Sequence, residues 1–295
     1  MRPSNRGFTL IEIVVVILVL AILIAMAAAL TRGVAAGQRR SLTVTRMQTV
    51  DAALVQFVMQ QKRLPCPANG ALPSTDGSAG SEGPRNAAGC NPTTQQDGVV
   101  PWIALGISES DASDGWDRRF TYRVFPALAG DSGMDMSWCD PAGSGPATGV
   151  FPNTACNSAI APNDCNSTVA GLTRCTPPIA FLTNKGLEVR KADGVTKVMD
   201  PLAPLYTGAA YVLISHGETG GGGYLNSGTL GTSTLGTDGT EEMRNYASGS
   251  YAGVATWYVD DSLSEVNTTA HFDDIVSRPS ILAVITKAGL GPRSH

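Results

Sequence analysis

Charge is scarce in this chain. Asp, Glu, Lys and Arg make up 16% of its 295 residues, against roughly a quarter in an ordinary soluble domain. The 21 basic residues fall short of the 25 acidic ones, for a net charge of −4. A protein that tracks a nucleic-acid backbone needs a basic stripe, so no direct nucleic-acid binding is expected. No repeat of solenoid length is present. No Cys-x-x-Cys pair occurs, and His216, His271 and His295 are scattered, so the zinc-finger spacings are missing. There is no Gly-x-Ser-x-Gly elbow and no Gly-Lys-Ser/Thr phosphate loop. Ser215 and His216 are adjacent on an expected strand, where neighbouring side chains face opposite ways and cannot form a nucleophile–base pair. The chain reads as a non-enzyme. What it does have is 43% hydrophobic residues, enough for a sizeable core, together with 33 glycines and 18 prolines that indicate a loop-rich fold.

One apolar run dominates, Phe8 to Leu30, with Glu12 as its single charge. As a helix its 23 residues span about 35 Å, enough to cross a bilayer. A short leader with Arg2 and Arg6 precedes it. Read from the residues alone, the run is a secretory signal peptide or a plain N-terminal membrane anchor. Its length exceeds the usual apolar region of a signal peptide, and arginines on both flanks leave the orientation open.

Gly7–Phe8–Thr9–Leu10–Ile11–Glu12 resembles the prepilin cleavage motif of type IV pilins and type II secretion pseudopilins. The resemblance implies cleavage after Gly7 by a prepilin peptidase, methylation of the new N-terminal Phe8, and a role for Glu12 in assembly. An unpaired carboxylate in hydrocarbon costs about 2.5 to 3.5 kcal/mol. The family supplies a partner, the N-terminal amine of a neighbouring subunit. The alternative is that Glu12 sits at the interface and caps the helix start.

Beyond the membrane run, Val44, Met47, Val50, Leu54, Phe57 and Val58 recur at helical steps, so the helix continues to about 62–64, where Pro65 and Pro67 stop it. The expected organisation is a leader at 1–7, a transmembrane and assembly helix at 8–30, its amphipathic continuation at 31–64, and a β-rich periplasmic or extracellular head at 65–295. The fold class is α+β: a long N-terminal helix packed on an antiparallel sheet, loop-rich and disulfide-stapled. Residues 66–101 read as a connecting loop. Strands are expected at 120–125, 179–183, 186–191, 211–215 and 255–259, with a hairpin turn at Asn184–Lys185–Gly186. A closing helix is expected at 280–288, and a Gly-rich surface loop at 217–249. Asp114–Gly115–Trp116–Asp117, followed by Phe120–Thr121–Tyr122, resembles a pseudopilin head motif, with Asp117 standing where that motif has glycine.

Six cysteines, Cys66, Cys90, Cys139, Cys156, Cys165 and Cys175, all lie beyond the apolar run. An even count on one side of a membrane segment suits disulfides in an oxidising compartment. The expected pairing is Cys66–Cys90, with the remaining four pairing among themselves. Asp260, Asp261, Asp273 and Asp274 are weak calcium candidates, and no other cofactor is expected. Solvated or turn-capping roles compete for these acids, as does pairing of Asp273 and Asp274 with Arg39 or Arg40 of a neighbour. The resemblance implies sister subunits, the prepilin peptidase and an inner-membrane assembly platform as partners. It also implies a single-pass inner-membrane location before assembly. A head of about 230 residues is large for a principal subunit, which points to a minor pilin. A type II secretion pseudopilin is the alternative, and a membrane-anchored periplasmic enzyme the more distant one.

Overall fold

The computed structural model describes residues 10–91, 98–136, 168–169, 172–173, 181–182, 184–202, 204–232, 242–246, 257–264 and 271–291, with side chains 25 and 27–33 of the first helix left undescribed. Helix α1 runs from Leu10 to Gln61. Its 52 residues contain no proline and extend about 78 Å. It ends where Lys62 turns to a positive φ of 57°, just ahead of Pro65.

The stripe of α1 that meets the head is Thr43, Met47, Val50, Leu54 and Val58, all buried. Steps of four and three keep them on one face. The stripe begins at Thr43, whereas Val44, expected on it from hydropathy, faces outward. Phe57 lies at its border, under the Arg63 guanidinium. Thr43 earns the inward place with its hydroxyl, which donates to Arg39 O at 2.8 Å and accepts from Gly115 N at 2.9 Å.

The main sheet has five strands: β1 (Ala68–Asn69), β2 (Gly98–Val99), β3 (Thr121–Val124), β4 (Tyr211–Ser215) and β5 (Ile275–Ser277). They lie side by side in chain order, and every neighbouring pair is antiparallel. The register sets Val99 opposite Thr121, Leu213 opposite Tyr122 and Val276 opposite Ile214. Strand β4 is buried on both faces. Tyr211 and Leu213 join α1 and the closing helix in the main core. Val212 and Ile214 pack instead against Leu187, Val189, Met199 and Tyr258. A strand covered on both sides reads as a continuous apolar run, which is what the sequence shows there. The cover is a smaller sheet of 189–190, 197–199 and 258–259, one of whose pairings is parallel. Helix α2 is Trp102–Leu105. Helix α3, Ile281–Lys287, starts at Ser280, whose hydroxyl caps Ala283 N and which falls where a closing helix was expected.

Three expectations need correction. Residues 66–101 contain β1, β2 and a hairpin of 85–86 with 89–90, so the segment is built into the sheet. Phe181 and Leu182 are helical and both are buried in the main core, which consecutive positions of a strand cannot achieve on one face. The hairpin around Asn184–Lys185–Gly186 therefore does not form, and Leu187 bridges Ala209 instead. The first part of the Gly-rich stretch is not surface loop, because 219–224 are buried. Gly220 takes φ +69°, and a Cβ there would crowd the Arg118 guanidinium, so glycine is the residue that suits this close passage.

Cys66 and Cys90 form a disulfide that ties the start of β1 to this hairpin. In the chain-entropy picture a loop of 24 residues is worth about 3 kcal/mol. Cys139, Cys156, Cys165 and Cys175 lie outside the described residues.

The turn 114–117 clamps the head onto α1. Arg46 donates to Ser113 O at 3.3 Å and Asp114 O at 2.8 Å. Gly115 sits so close to the helix that a Cβ would meet Arg39 O at 2.4 Å. Gly115→Ala should therefore destabilise the protein by about 1 to 3 kcal/mol, read as a lower Tm in detergent. Gly37→Ala, with nothing within 4 Å of its Cβ, should instead stabilise the helix by up to about 1 kcal/mol.

Candidate functional site

Two regions concentrate unusual chemistry, the bare end of α1 and a polar wall at the far side of the sheet. From Leu10 to Ile24 every described side chain of α1 is exposed, and all but Glu12 are apolar. Glu12 lies in the first described turn of the helix. Gly7 and Phe8 lie outside the described residues. No helix of the described residues is long and apolar enough to cross a membrane.

Where α1 enters the head it carries Asp51, whose Oδ1 accepts from Tyr211 Oη at 2.9 Å and whose Oδ2 accepts from Ser277 Oγ at 2.8 Å. One carboxylate thus pins the helix to β4 and β5. Burial pushes its pKa above 3.8, against the lowering effect of the two hydroxyls and of Lys287.

The turn 114–117 is organised by a fully buried acid. Asp114 Oδ1 accepts from Trp116 N at 2.9 Å and Arg118 N at 3.0 Å. Its Oδ2 accepts from Ser215 Oγ at 2.7 Å. Burial raises the Asp114 pKa as well, partly offset by these bonds. Asp117 takes φ +61°, the left-handed conformation that glycine would supply at this position.

Ser215 and His216 turn to different partners, as strand alternation requires. His216 Nε2 meets Thr121 Oγ1 at 2.8 Å, and its Nδ1 lies 3.7 Å from Asp274 Oδ1. The order hydroxyl, imidazole, carboxylate looks catalytic. Yet Thr121 has no exposed surface and His216 only 1%, so no substrate reaches the hydroxyl in this conformation. Burial, with the charges of Arg123 and Arg118, drives the His216 pKa down to about 3. The imidazole is neutral at ordinary pH, and its contact with Asp274 is not an ion pair.

The four aspartates singled out from sequence are not grouped by the fold as they are by the chain. Asp260 pairs with Arg278. Asp261 accepts from Ala192 N at 3.0 Å and Ser262 N at 2.7 Å. Asp273 is buried, its Oδ2 accepting from Glu218 N and Thr219 N, both at 2.8 Å, and its Oδ1 from Thr219 Oγ1 at 2.9 Å. Asp274, also buried, accepts from Asn245 Nδ2 at 2.8 Å. Neither Asp273 nor Asp274 is on the surface for Arg39 or Arg40 of a neighbouring subunit to reach. Glu242, which the sequence gave no reason to single out, joins His271 and Asp273. His271 Nδ1 lies 3.0 Å from Glu242 Oε2, and Asp273 N donates to Glu242 Oε1 at 2.7 Å.

Residues 2–28 match the family described as the prokaryotic N-terminal methylation motif. The chain carries the type IV pilin and pseudopilin signature. No curated protein and no solved structure matches it. That signature implies a structural protein that assembles with other pilin subunits and is handled by a prepilin peptidase. The residues that match include the exposed apolar stretch Leu10–Ile24 of α1.

The titration of His216 gives a pH test of the head. Below pH 6.5 the unfolded chain binds a proton there that the folded chain refuses until about pH 3. The stability held at this position is therefore complete above pH 6.5 and falls as pH drops toward 3. Asp51 and Asp114 run the other way, because their folded pKa values are raised: what they contribute is full below pH 3.8 and is lost as pH rises through the raised values. His216→Gln should flatten the fall of Tm between pH 6.5 and about 3 relative to the wild-type chain.

Proposed function

We propose that the protein is a minor structural subunit of a type IV pilus-like filament. Its leader is removed after Gly7, Phe8 is methylated, and subunits assemble by packing of α1. One observation carries the reading: the methylation signature at 2–28 runs into a 52-residue helix whose residues 10–24 are bare and, Glu12 apart, apolar and whose stripe from Thr43 to Val58 is seated on a head. Exposed apolar surface of that extent needs a lipid or protein environment. The run from Phe8 to Leu30 supplies a single inner-membrane span before assembly, with the head on the periplasmic side, where the Cys66–Cys90 disulfide is stable.

In lipid the bare half gains little from apolar burial alone, so packing and polar pairing decide which contacts form. Glu12 supplies the polar term. Removal of the leader frees the amine of Phe8, and pairing of Glu12 with that amine on a neighbour offsets the cost of a carboxylate in hydrocarbon. A contact repeated head to tail without closing builds a helical filament. The size of the head, 65–295, favours a minor or tip position over the principal subunit. A type II secretion pseudopilin shares all these features. Deleting the pilus-assembly ATPase or the secretion ATPase, one at a time, tells which machine the subunit needs.

Mass spectrometry of the mature chain should find an N-terminus at methylated Phe8. A chain that keeps its leader in cells with active peptidase defeats the reading. Glu12→Ala should leave processing intact and lower incorporation into sheared filaments at least about tenfold, as expected for a loss of about 2 kcal/mol or more.

A further inference from the structure

We propose that Glu242, His271 and Asp273 form a binding site for a divalent transition-metal ion of the zinc class, which clips the turn 242–245 to the chain entering β5. Each of the three offers a ligand atom, the three atoms lie within 4.8 Å of one another, and all three residues are buried. His271 Nδ1 and Glu242 Oε2, 3.0 Å apart, already have about the separation of two ligands on one tetrahedral ion. The residues come from separate parts of the chain. Glu242 opens a 3-10 turn, and His271 and Asp273 stand just ahead of β5.

The surrounding groups orient the ligands as a metal site requires. Two backbone amides and the Thr219 hydroxyl hold Asp273, and Asp273 N holds Glu242. The two amide bonds occupy Asp273 Oδ2, which leaves Oδ1, with one hydroxyl bond, as the oxygen that can turn a lone pair to an ion.

A second observation comes from the same wall of the head. His216 is 1% exposed, and its Nδ1 has no hydrogen-bond partner. That nitrogen points toward Asp274 Oδ1 at 3.7 Å. Asp274 follows Asp273 in the chain and is held by Asn245, in the same turn as Glu242. His216 is not one of the three grouped ligands, and a buried nitrogen without a partner is the kind of group that an ordered water beside such a site satisfies.

The donor set selects the ion. One imidazole with two carboxylates suits zinc and its first-row neighbours. Calcium wants six to eight oxygens, and here one of the three ligands is nitrogen.

The test uses the full-length chain in detergent, stripped with a chelator and then given Zn²⁺, Co²⁺ or Ca²⁺. One equivalent of Zn²⁺ should remain after gel filtration, Co²⁺ should show visible ligand-field bands, and Zn²⁺ should raise Tm by about 5 °C. Glu242→Gln and His271→Gln should each weaken uptake at least about tenfold, whereas Asp260→Asn should keep the full equivalent. No uptake by the wild-type chain, undiminished uptake by both ligand variants, or a Tm gain with Ca²⁺ and none with Zn²⁺ overturns the proposal. Should the substitutions unfold the head, the stoichiometry and Co²⁺ spectrum of the wild-type chain decide alone. Every readout is made on the isolated chain, so the result does not depend on whether the protein forms filaments.

Discussion

Thr43, Met47, Val50, Leu54 and Val58 lie along one stripe of α1, and the sheet and α3 close over it. Asp51, one residue from Val50, adds two hydrogen bonds to β4 and β5, and the turn 114–117 grips the helix a little nearer its N-terminus. Together these contacts fix both the height and the rotation of the helix on the head. A helix continues in the direction in which it is started, so the bearing of Leu10–Ile24 follows from how residues 43–58 are seated. The head thus determines where the bare half points, and an arrangement of subunits built on that half is limited by it.

The same seating explains the division of labour among the acidic side chains. Carboxylates withdrawn from water are costly unless they accept hydrogen bonds, and half-buried Asp51 and buried Asp114 and Asp273 each hold two segments together. Asp51 joins helix to sheet, Asp114 joins the clamp turn to the end of β4, and Asp273 joins the chain entering β5 to the Gly-rich segment after β4. Among the described residues, Asp114, Asp135, Asp200, Glu242, Asp273 and Asp274 are buried inside the head.

Much of the frame was legible in the sequence. The period of α1, its stop before Pro65 and Pro67, strand β4 and helix α3 each follow from a local rule. The Cys66–Cys90 pair was expected from sequence, and the structure has it. Val44 misled because hydropathy alone cannot show that a threonine hydroxyl is needed opposite Gly115. Phe181 and Leu182 misled because a short apolar run fits a strand and a buried helical turn equally well. Residues 66–101 looked like loop because strands of two residues are too short to leave a period. Asp117 could be flagged as unusual, yet its left-handed backbone is visible only in the fold. The grouping of Glu242, His271 and Asp273 depends on which segments the sheet brings together, and no spacing rule covers residues 29 positions apart. Scattered histidines gave no metal spacing, because such rules describe ligands that are close in the chain.

The order of the central strands has a consequence for variation. Since β1 to β5 sit side by side in the order they are made, each can be joined to the next without a crossover. The excursions between them are nonetheless long, 125–210 between β3 and β4 and 216–274 between β4 and β5. Lengthening a flexible connection costs little, because closure entropy grows only with the logarithm of length. Within both excursions the chain is tied back to the scaffold, by Leu187, Val189 and Met199 against β4 and by the buried residues 219–224. Added length is therefore tolerated only between such anchor points, where it leaves the strand pairings and the grip on α1 unchanged.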